Sequence, residues 1–352
     1  MISKKALFCV FASVSLLAAC GDKEKGTEKI EEPVKPTEEV EEKVELYPTP
    51  FTGELREKES TLRPIIATIN NHPAARPQSG IASADVVYEM LAEGDVTRFL
   101  ALYQSEIPEK IGPIRSARSY FVELAEGLDA FYIAHGYSPE AKQMLESGVV
   151  DNINGMNYDG TYFKRSKDRV APHNSYFITD NLEAVAEKVN ASLLYQKKVS
   201  YTYYDEEESP KKGVQADQVH VRYSKNENFN CSYSYDSTNN TYTRSSGGTM
   251  TTDLLTGEPL KLSNVLIFEM EHTVIDNKGR REIDIHSGGF AYLFQQGMMR
   301  VVHWENIDGV LTAVENDGSK VKLVPGKTWV HFVPTNPGIT TSVTYTSSDQ
   351  QS

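Results

Sequence analysis

Cysteine is nearly absent: Cys9, Cys20 and Cys231 are the three in 352 residues, and two of them fall within the first twenty positions. Neither a disulfide framework nor a zinc cluster can be built from that set. Positive charge is also in deficit, with 36 Lys and Arg against 49 Asp and Glu and a formal net charge of -13. That balance argues against direct nucleic-acid binding while leaving room for a local cationic site. A P-loop, a GxGxxG fingerprint, an HExxH pair and a nucleophile elbow are all missing. No cofactor or metal is expected. The remaining composition, 39% hydrophobic and 24% charged, is that of a soluble protein long enough for about two domains.

What is present begins with an export signal over residues 1–19, where Lys4 and Lys5 precede an apolar and small-residue run from Ala6 to Ala19. The run is too short for a comfortable membrane span and fits a secretory h-region. It ends in Leu17-Ala18-Ala19-Cys20-Gly21, which resembles the lipobox of bacterial lipoproteins. That resemblance implies a diacylglycerol on the Cys20 sulfur, a membrane partner through this lipid anchor, and a place on the extracytoplasmic face of the cell membrane. Residues 20–50 are rich in Glu, Lys, Pro and Thr and read as a disordered acidic tether. A flexible chain of that length spans roughly 30 Å end to end.

From Arg63 short apolar runs alternate with polar junctions. Strands are expected at 64–69, 85–91, 96–103 and 130–134, with a helix from Arg118 to Glu126 capped by Ser116 and another starting at Ser138-Pro139. Strands alternating with short helices indicate an α/β region with a mixed sheet over residues 62–199. After a helix expected from Asn181 to Leu193, the pattern turns to period two, with strands at 219–223, 231–235, 241–244, 265–270, 291–294 and 299–304. Residues 214–335 therefore read as a mostly-β domain, a small barrel or sandwich, and 336–352 as a tail.

Several motifs in the first region are long: Asn70-Asn71, Ala75-Arg76-Pro77-Gln78-Ser79-Gly80, Ala84-Asp85-Val86-Val87-Tyr88-Glu89, Thr97-Arg98-Phe99, Ile111-Gly112-Pro113-Ile114-Arg115-Ser116-Ala117-Arg118 and Ala171-Pro172-His173-Asn174. With these the chain resembles the YerB-like lipoprotein family of Gram-positive bacteria. The resemblance implies two domains of unknown function covering nearly all of the chain beyond the tether, and it implies no reaction.

The residues themselves gather a particular chemistry. Arg98, Arg115, Arg118, Arg165 and Arg169 lie in one region, and guanidinium forks suit phosphate or carboxylate. His135, His173 and Asn174 can add donors, and Ser116, Ser138 and the amides behind Pro139 can add more. An anion pocket lined by Arg98, Arg115 and Arg118, open to an anionic envelope ligand, is one reading. Arg115 and Arg118, three apart at a helix start, would then face one side. The other reading pairs these arginines with Asp85, Glu89, Glu123 and Asp168 as structural ion pairs. An enzyme reading rests on a faint similarity to the LytR-CpsA-Psr phosphotransferases, with Asp85 or Glu89 holding a metal, or on Ser116 as a nucleophile with His135 as base. It is the less favoured one, since a capping serine and a core histidine explain both residues.

Two features of the second region stand apart. His286, beside two glycines, could with Asp284 reach a ligand, and a strand end followed by a β-bulge is the favoured reading. The stretch 249–260 contains Asp253, Thr256, Gly257 and Glu258 in the order of a hairpin tip. It resembles the hairpin by which RNA polymerase and an excision-repair subunit engage the Tudor-like domain of UvrD/PcrA-type helicases, and a plain β-turn is the alternative. An anchored protein outside the membrane would not meet a cytoplasmic helicase. The lipid anchor gives a direct test: a Cys20→Ala variant should leave the detergent phase in a partitioning experiment, and unchanged partitioning would rule lipidation out.

Overall fold

Strand Val86–Glu93 is buried along both of its faces, as a strand must be when layers cover the sheet above and below. The computed structural model describes residues 44–347 apart from Glu206 and Ser209. The export signal, Cys20 and the tether up to residue 43 lie outside the described residues. Among the described residues an eleven-stranded mixed sheet forms the middle layer. Its path runs Asn152–Asn154, Phe131–Ala134, Ile65–Asn70, Val96–Tyr103, Val86–Glu93, Thr328–Pro334, Asn264–Met270, Gly289–Gln295 and Met298–Ile307. Val214–Gln215 and Val310–Val314 both pair with the last of these.

The joint of this sheet is Thr328–Pro334, which the sequence expectations did not include. It pairs in parallel with Val86–Glu93 on one side and with Asn264–Met270 on the other, so strands from both sequence regions share one hydrogen-bonded ladder. Residues 62–199 and 214–335 thus meet through the sheet itself, and the described residues form a single compact unit.

One face is covered by the helices Ser119–Gly127 and Pro139–Ser147, whose Tyr120, Phe121 and Leu124 pack with Tyr88, Leu100, Phe268 and Phe332. The second helix starts as expected, with Pro139 in its first turn and the Ser138 hydroxyl accepting the Ala141 amide at 3.2 Å. The first does not: its N-cap is Arg118, without a side-chain cap, and Ser116 donates to the His135 carbonyl instead. Gly127 allows the end of this helix to touch the turn at Gly309, because a Cβ there would overlap the Gly309 carbonyl.

The opposite face carries a five-stranded antiparallel sheet, Thr249–Met250, Thr241–Ser246, Cys231–Asp236, Gln218–Val221 and Val343–Thr346 in that order. Its Val219, Tyr233 and Tyr242 pack on Phe99, Ile267 and Trp329, which makes the expected β-rich region a sandwich built against the shared sheet. A three-stranded sheet, Lys110–Ile111, Ser175–Ile178 and Phe163–Arg165, lies in the same apolar layer. Three boundaries shift. The expected tether to residue 50 ends sooner, since Tyr47–Pro48 pairs with Leu55–Arg56 and Phe51 is fully buried. The expected tail from 336 is ordered to Thr346, where a strand edge was left to fill. The helix after Asn181 stops at Lys188.

Between the two sheets sits a charge. Glu89 is 1% exposed, and its Oε1 accepts from Asn71 Nδ2 at 3.1 Å and Thr97 Oγ1 at 2.8 Å. Its Oε2 accepts from Arg244 Nη2 at 2.7 Å and Trp329 Nε1 at 3.0 Å. Arg244, also buried, lies over the Trp329 ring at 4.6 Å. Replacing Arg244 with Met would strand the Glu89 carboxylate without its cation and should cost about 3–5 kcal/mol in urea unfolding. Adding Glu89→Gln to that variant should recover part of the loss; equal destabilisation by both single changes with full additivity would show the pair uncoupled.

Candidate functional site

The loop 111–118 is held as an extra strand rather than as a helix start. Arg115 N donates to Thr68 O at 2.8 Å, His135 N to Arg115 O at 2.9 Å and Ile114 N to Ser175 O at 2.6 Å. Gly112 permits the approach, because a Cβ there would lie 2.9 Å from Ser175 O. Arg118 has φ -130° and ψ 160°. In extended backbone, residues three apart point to opposite faces, so Arg115 and Arg118 do not share a side as a helical reading expects.

The consequence is that the three arginines of the expected pocket, Arg98 on the strand Val96–Tyr103 and Arg115 and Arg118 on the loop, divide. Arg98 and Arg118 are 3% and 6% exposed and both grip Glu93: Arg98 Nη2 lies 2.6 Å from Glu93 Oε2, and Arg118 Nη2 pairs with Oε1. Their remaining contacts are Ser116 O and Ala117 O. A register irregularity between Leu91 and Glu93 precedes the shared carboxylate, as a bulge that re-aims a side chain does. The structural ion-pair reading is therefore right for two of the three, though the acid is Glu93. Glu89 serves Arg244, Glu123 meets His286 Nε2 at 2.8 Å, Asp168 accepts from Ser166, and Asp85 accepts the Gln104 and Ser105 amides. Burial pushes the Asp85 carboxyl up to about 6.

Arg115 is the exception. Its side chain is half-buried and makes no hydrogen bond or ion pair with any described residue. Burial, reinforced by the Arg98 charge, lowers its pKa to about 10. Around it stand three histidines whose protonation its charge opposes. His72 and His173 stack, with ring centroids 4.6 Å apart. Asn70 Oδ1 accepts the His72 amide, so its Nδ2 faces His173 Nδ1 at 2.9 Å as donor. His72 Nδ1 in turn accepts the Ala74 amide at 3.1 Å. In the neutral imidazoles the proton of each is thus left on Nε2, where no bond to a described residue uses it.

His135 is committed differently. Arg165 Nη2, which can only donate, lies 3.2 Å from His135 Nε2, so Nδ1–H donates to Ser175 Oγ at 2.7 Å. Arg165 is compensated by Asp159 at 2.8 Å and donates to Asn174 Oδ1. Arg169 braces the preceding loop through Ala75 O, Pro77 O and the Tyr176 hydroxyl. Of the residues singled out from the sequence, Arg115 and His173 come together, with His135, Arg165 and Asn174 at the margin. Arg98, Arg118, Ser116 and Ser138 are spent on structure. His72 and Asn70 were not singled out, although Asn70-Asn71-His72-Pro73 at the exit of a buried strand marked the place.

The pieces of the enzyme reading do not assemble. Ser116 Oγ bonds the His135 carbonyl rather than its ring. Glu89, Cys231 and His331 offer ligand atoms within 4.8 Å of one another, but Arg244 already holds Glu89 Oε2 where a metal cation would need it. Burial lifts the Cys231 thiol to about 12 and lowers His331 to about 4. The stretch 249–260 does turn as a hairpin tip, with Asp253 N donating to Glu258 O at 3.0 Å and Gly257 N to Asp253 O at 2.8 Å. Asp253 is 1% exposed, and its carboxylate accepts the Gly80, Ala82 and Leu255 amides, which need a buried acceptor there. Thr256, Gly257 and Glu258 are exposed.

The fold and site define a class, mixed-sheet proteins in which two sequence regions are joined by one central strand. Residues 51–192 match the family model described as "Protein of unknown function (DUF3048) N-terminal domain", and residues 219–330 match its C-terminal counterpart. The chain belongs to this family. It is 43% identical to a protein of Bacillus subtilis (strain 168) named "Putative lipoprotein YerB", over 81% of this chain and 86% of that protein. The crystal structure of YerB from Bacillus subtilis superposes with a TM-score of 0.78 at 40% identity, covering 85% of this chain and 99% of the other.

Glu93 generates the test of the divided arginines. A Glu93→Gln variant leaves two nearly buried guanidinium groups without a counter-charge. Because Glu93 itself is 29% exposed, the expected loss is about 2–3 kcal/mol, below the ~3–5 of a fully buried pair. Chemical denaturation measures it, and a change under ~0.5 kcal/mol would show that solvent compensates both cations.

Proposed function

We propose that the protein is a lipid-anchored extracytoplasmic binding module that takes a phosphate or carboxylate group at Arg115. One observation carries this: a half-buried guanidinium without an acceptor, beside two Nε2–H donors. Placing an unpaired cation in a half-buried position costs free energy that an arriving anion would offset. The anchor part rests on the run from Lys4 to Cys20 and on the name borne by the Bacillus subtilis relative.

The histidines make binding pH-dependent in a definite direction. In the free protein burial lowers both pKa values, and the surrounding cations add to it: Arg76 and Arg115 for His72, His72 and Arg115 for His173. A bound anion reverses the second effect, so protons are taken up on binding and affinity rises as pH falls.

Calorimetric titration with sulfate, whose own charge is constant, should show affinity increasing between about pH 8 and pH 5. Arg115→Gln should weaken it by ~10-fold or more, corresponding to one charge-assisted bond. A His72→Gln/His173→Gln variant should flatten the pH profile. Equal sulfate affinity in wild type and Arg115→Gln would remove Arg115 as the anchor.

A further inference from the structure

A cleft of about 290 Å3 opens where the segment 71–78 meets residues 244–252, and it belongs to neither the loop 111–118 nor the hairpin tip. Its size is at the lower end of small-molecule pockets. The two walls come from different halves of the chain: Asn71, Arg76 and Gln78 from the first region, and Arg244, Gly247 and Met250 from the second. We propose that this cleft is a second ligand site, for a small monoanion carrying a carboxylate or a phosphate seated against Arg76.

Three observations converge on that chemistry. Arg76 bonds only to neutral oxygens, Asn71 O and Oδ1 and Asn228 O. Its Nε, Nη1 and Nη2 each use one N–H in this way, which leaves two of the five N–H groups of the guanidinium free of a described partner. The local charge is uneven as well. Arg76 and Arg244 line one cleft, and Glu89, the carboxylate beside them, is already paired with Arg244. Two cations against one anion leave about one positive charge for a ligand to neutralise. Finally, Arg244 lines the cleft with its side chain fully buried, so its charge acts on a ligand there through space rather than by contact.

The rim explains the size limit. Thr249–Met250 is the outermost strand of the five-stranded sheet, paired only with Thr241–Ser246 and exposed on its other side. Met250 is half exposed and forms part of the wall, so a larger side chain at that position closes the cleft without touching its charge. Because the walls belong to both regions, a ligand here would tie them together and raise thermal stability by mass action.

The test is an amide NMR titration of the protein with inorganic phosphate and, separately, with acetate. Saturable shifts are expected at Gly247, Met250 and Thr251 in wild type. They should persist in Arg115→Gln, which separates this site from the one at loop 111–118. They should be lost in Arg76→Gln and, independently of any effect of that change on folding, in Met250→Trp, whose retained dispersion would report an intact fold. Shifts with phosphate alone assign a phosphorylated ligand, and shifts with acetate alone a carboxylate; either supports the site. Absence of saturable shifts with both probes would overturn it. So would shifts that survive both Arg76→Gln and Met250→Trp, or that vanish in Arg115→Gln.

Discussion

The ion pair between Glu89 and Arg244 is the constraint around which the rest of the molecule is arranged. A carboxylate on an inner strand can be buried only if a cation and further donors reach it, and these arrive from distant parts of the chain: Asn71, Thr97, Arg244 and Trp329. Each of those donors fixes a position. Trp329 belongs to the strand that joins the two regions, in which His331 stands directly across from Glu89, and Arg244 belongs to the covering sheet. A buried pair of this kind contributes little net stability over apolar packing, but it penalises every other register. That penalty is a reason for parallel strands so far apart in sequence to meet in one alignment.

The same rule explains why Arg115 is free and Arg98 and Arg118 are not. Arg98 and Arg118 lie where Glu93 can serve both, and burial without it would leave two cations uncompensated. Arg115 lies on the other face of an extended segment, where its charge acts on His72, His135 and His173 and no acid pairs with it among the described residues. Its neighbours offer N–H groups, so the protein leaves there a concentration of donors within a chain of net charge -13. Arg76 repeats the pattern in the cleft between the regions. Both places lie on the segments that leave buried strands, where rigid backbone supports side chains that solvent can reach.

Much of the fold was legible because period and punctuation are local. Val96–Tyr103, Cys231–Asp236 and Asn264–Met270 announce themselves by alternation or by apolar runs, and Ser138-Pro139 by capping chemistry. The helix expected from Arg118 starts at Ser119 without the Ser116 cap, because backbone pairing of Ile114 and Arg115 with Ser175 and Thr68 keeps the preceding segment extended. That shift changed the site: helical spacing aligns Arg115 with Arg118, and extended spacing separates them. Asp253 shows the same limit, since a turn motif does not reveal that the amides of Gly80 and Ala82 will claim its carboxylate.

The sequence by itself determined the kinds of element, the arginine-rich loop and the family, since each depends on neighbours a few residues apart or on motifs read in order. It also showed guanidinium and imidazole groups gathering in the first region, which left an anion pocket and structural ion pairs as alternative readings. Only the tertiary structure decided which cation goes unpaired. That depends on where Glu89 and Glu93 end up in space, and the compensation of a buried charge is a property of three-dimensional neighbours that no spacing along the chain encodes.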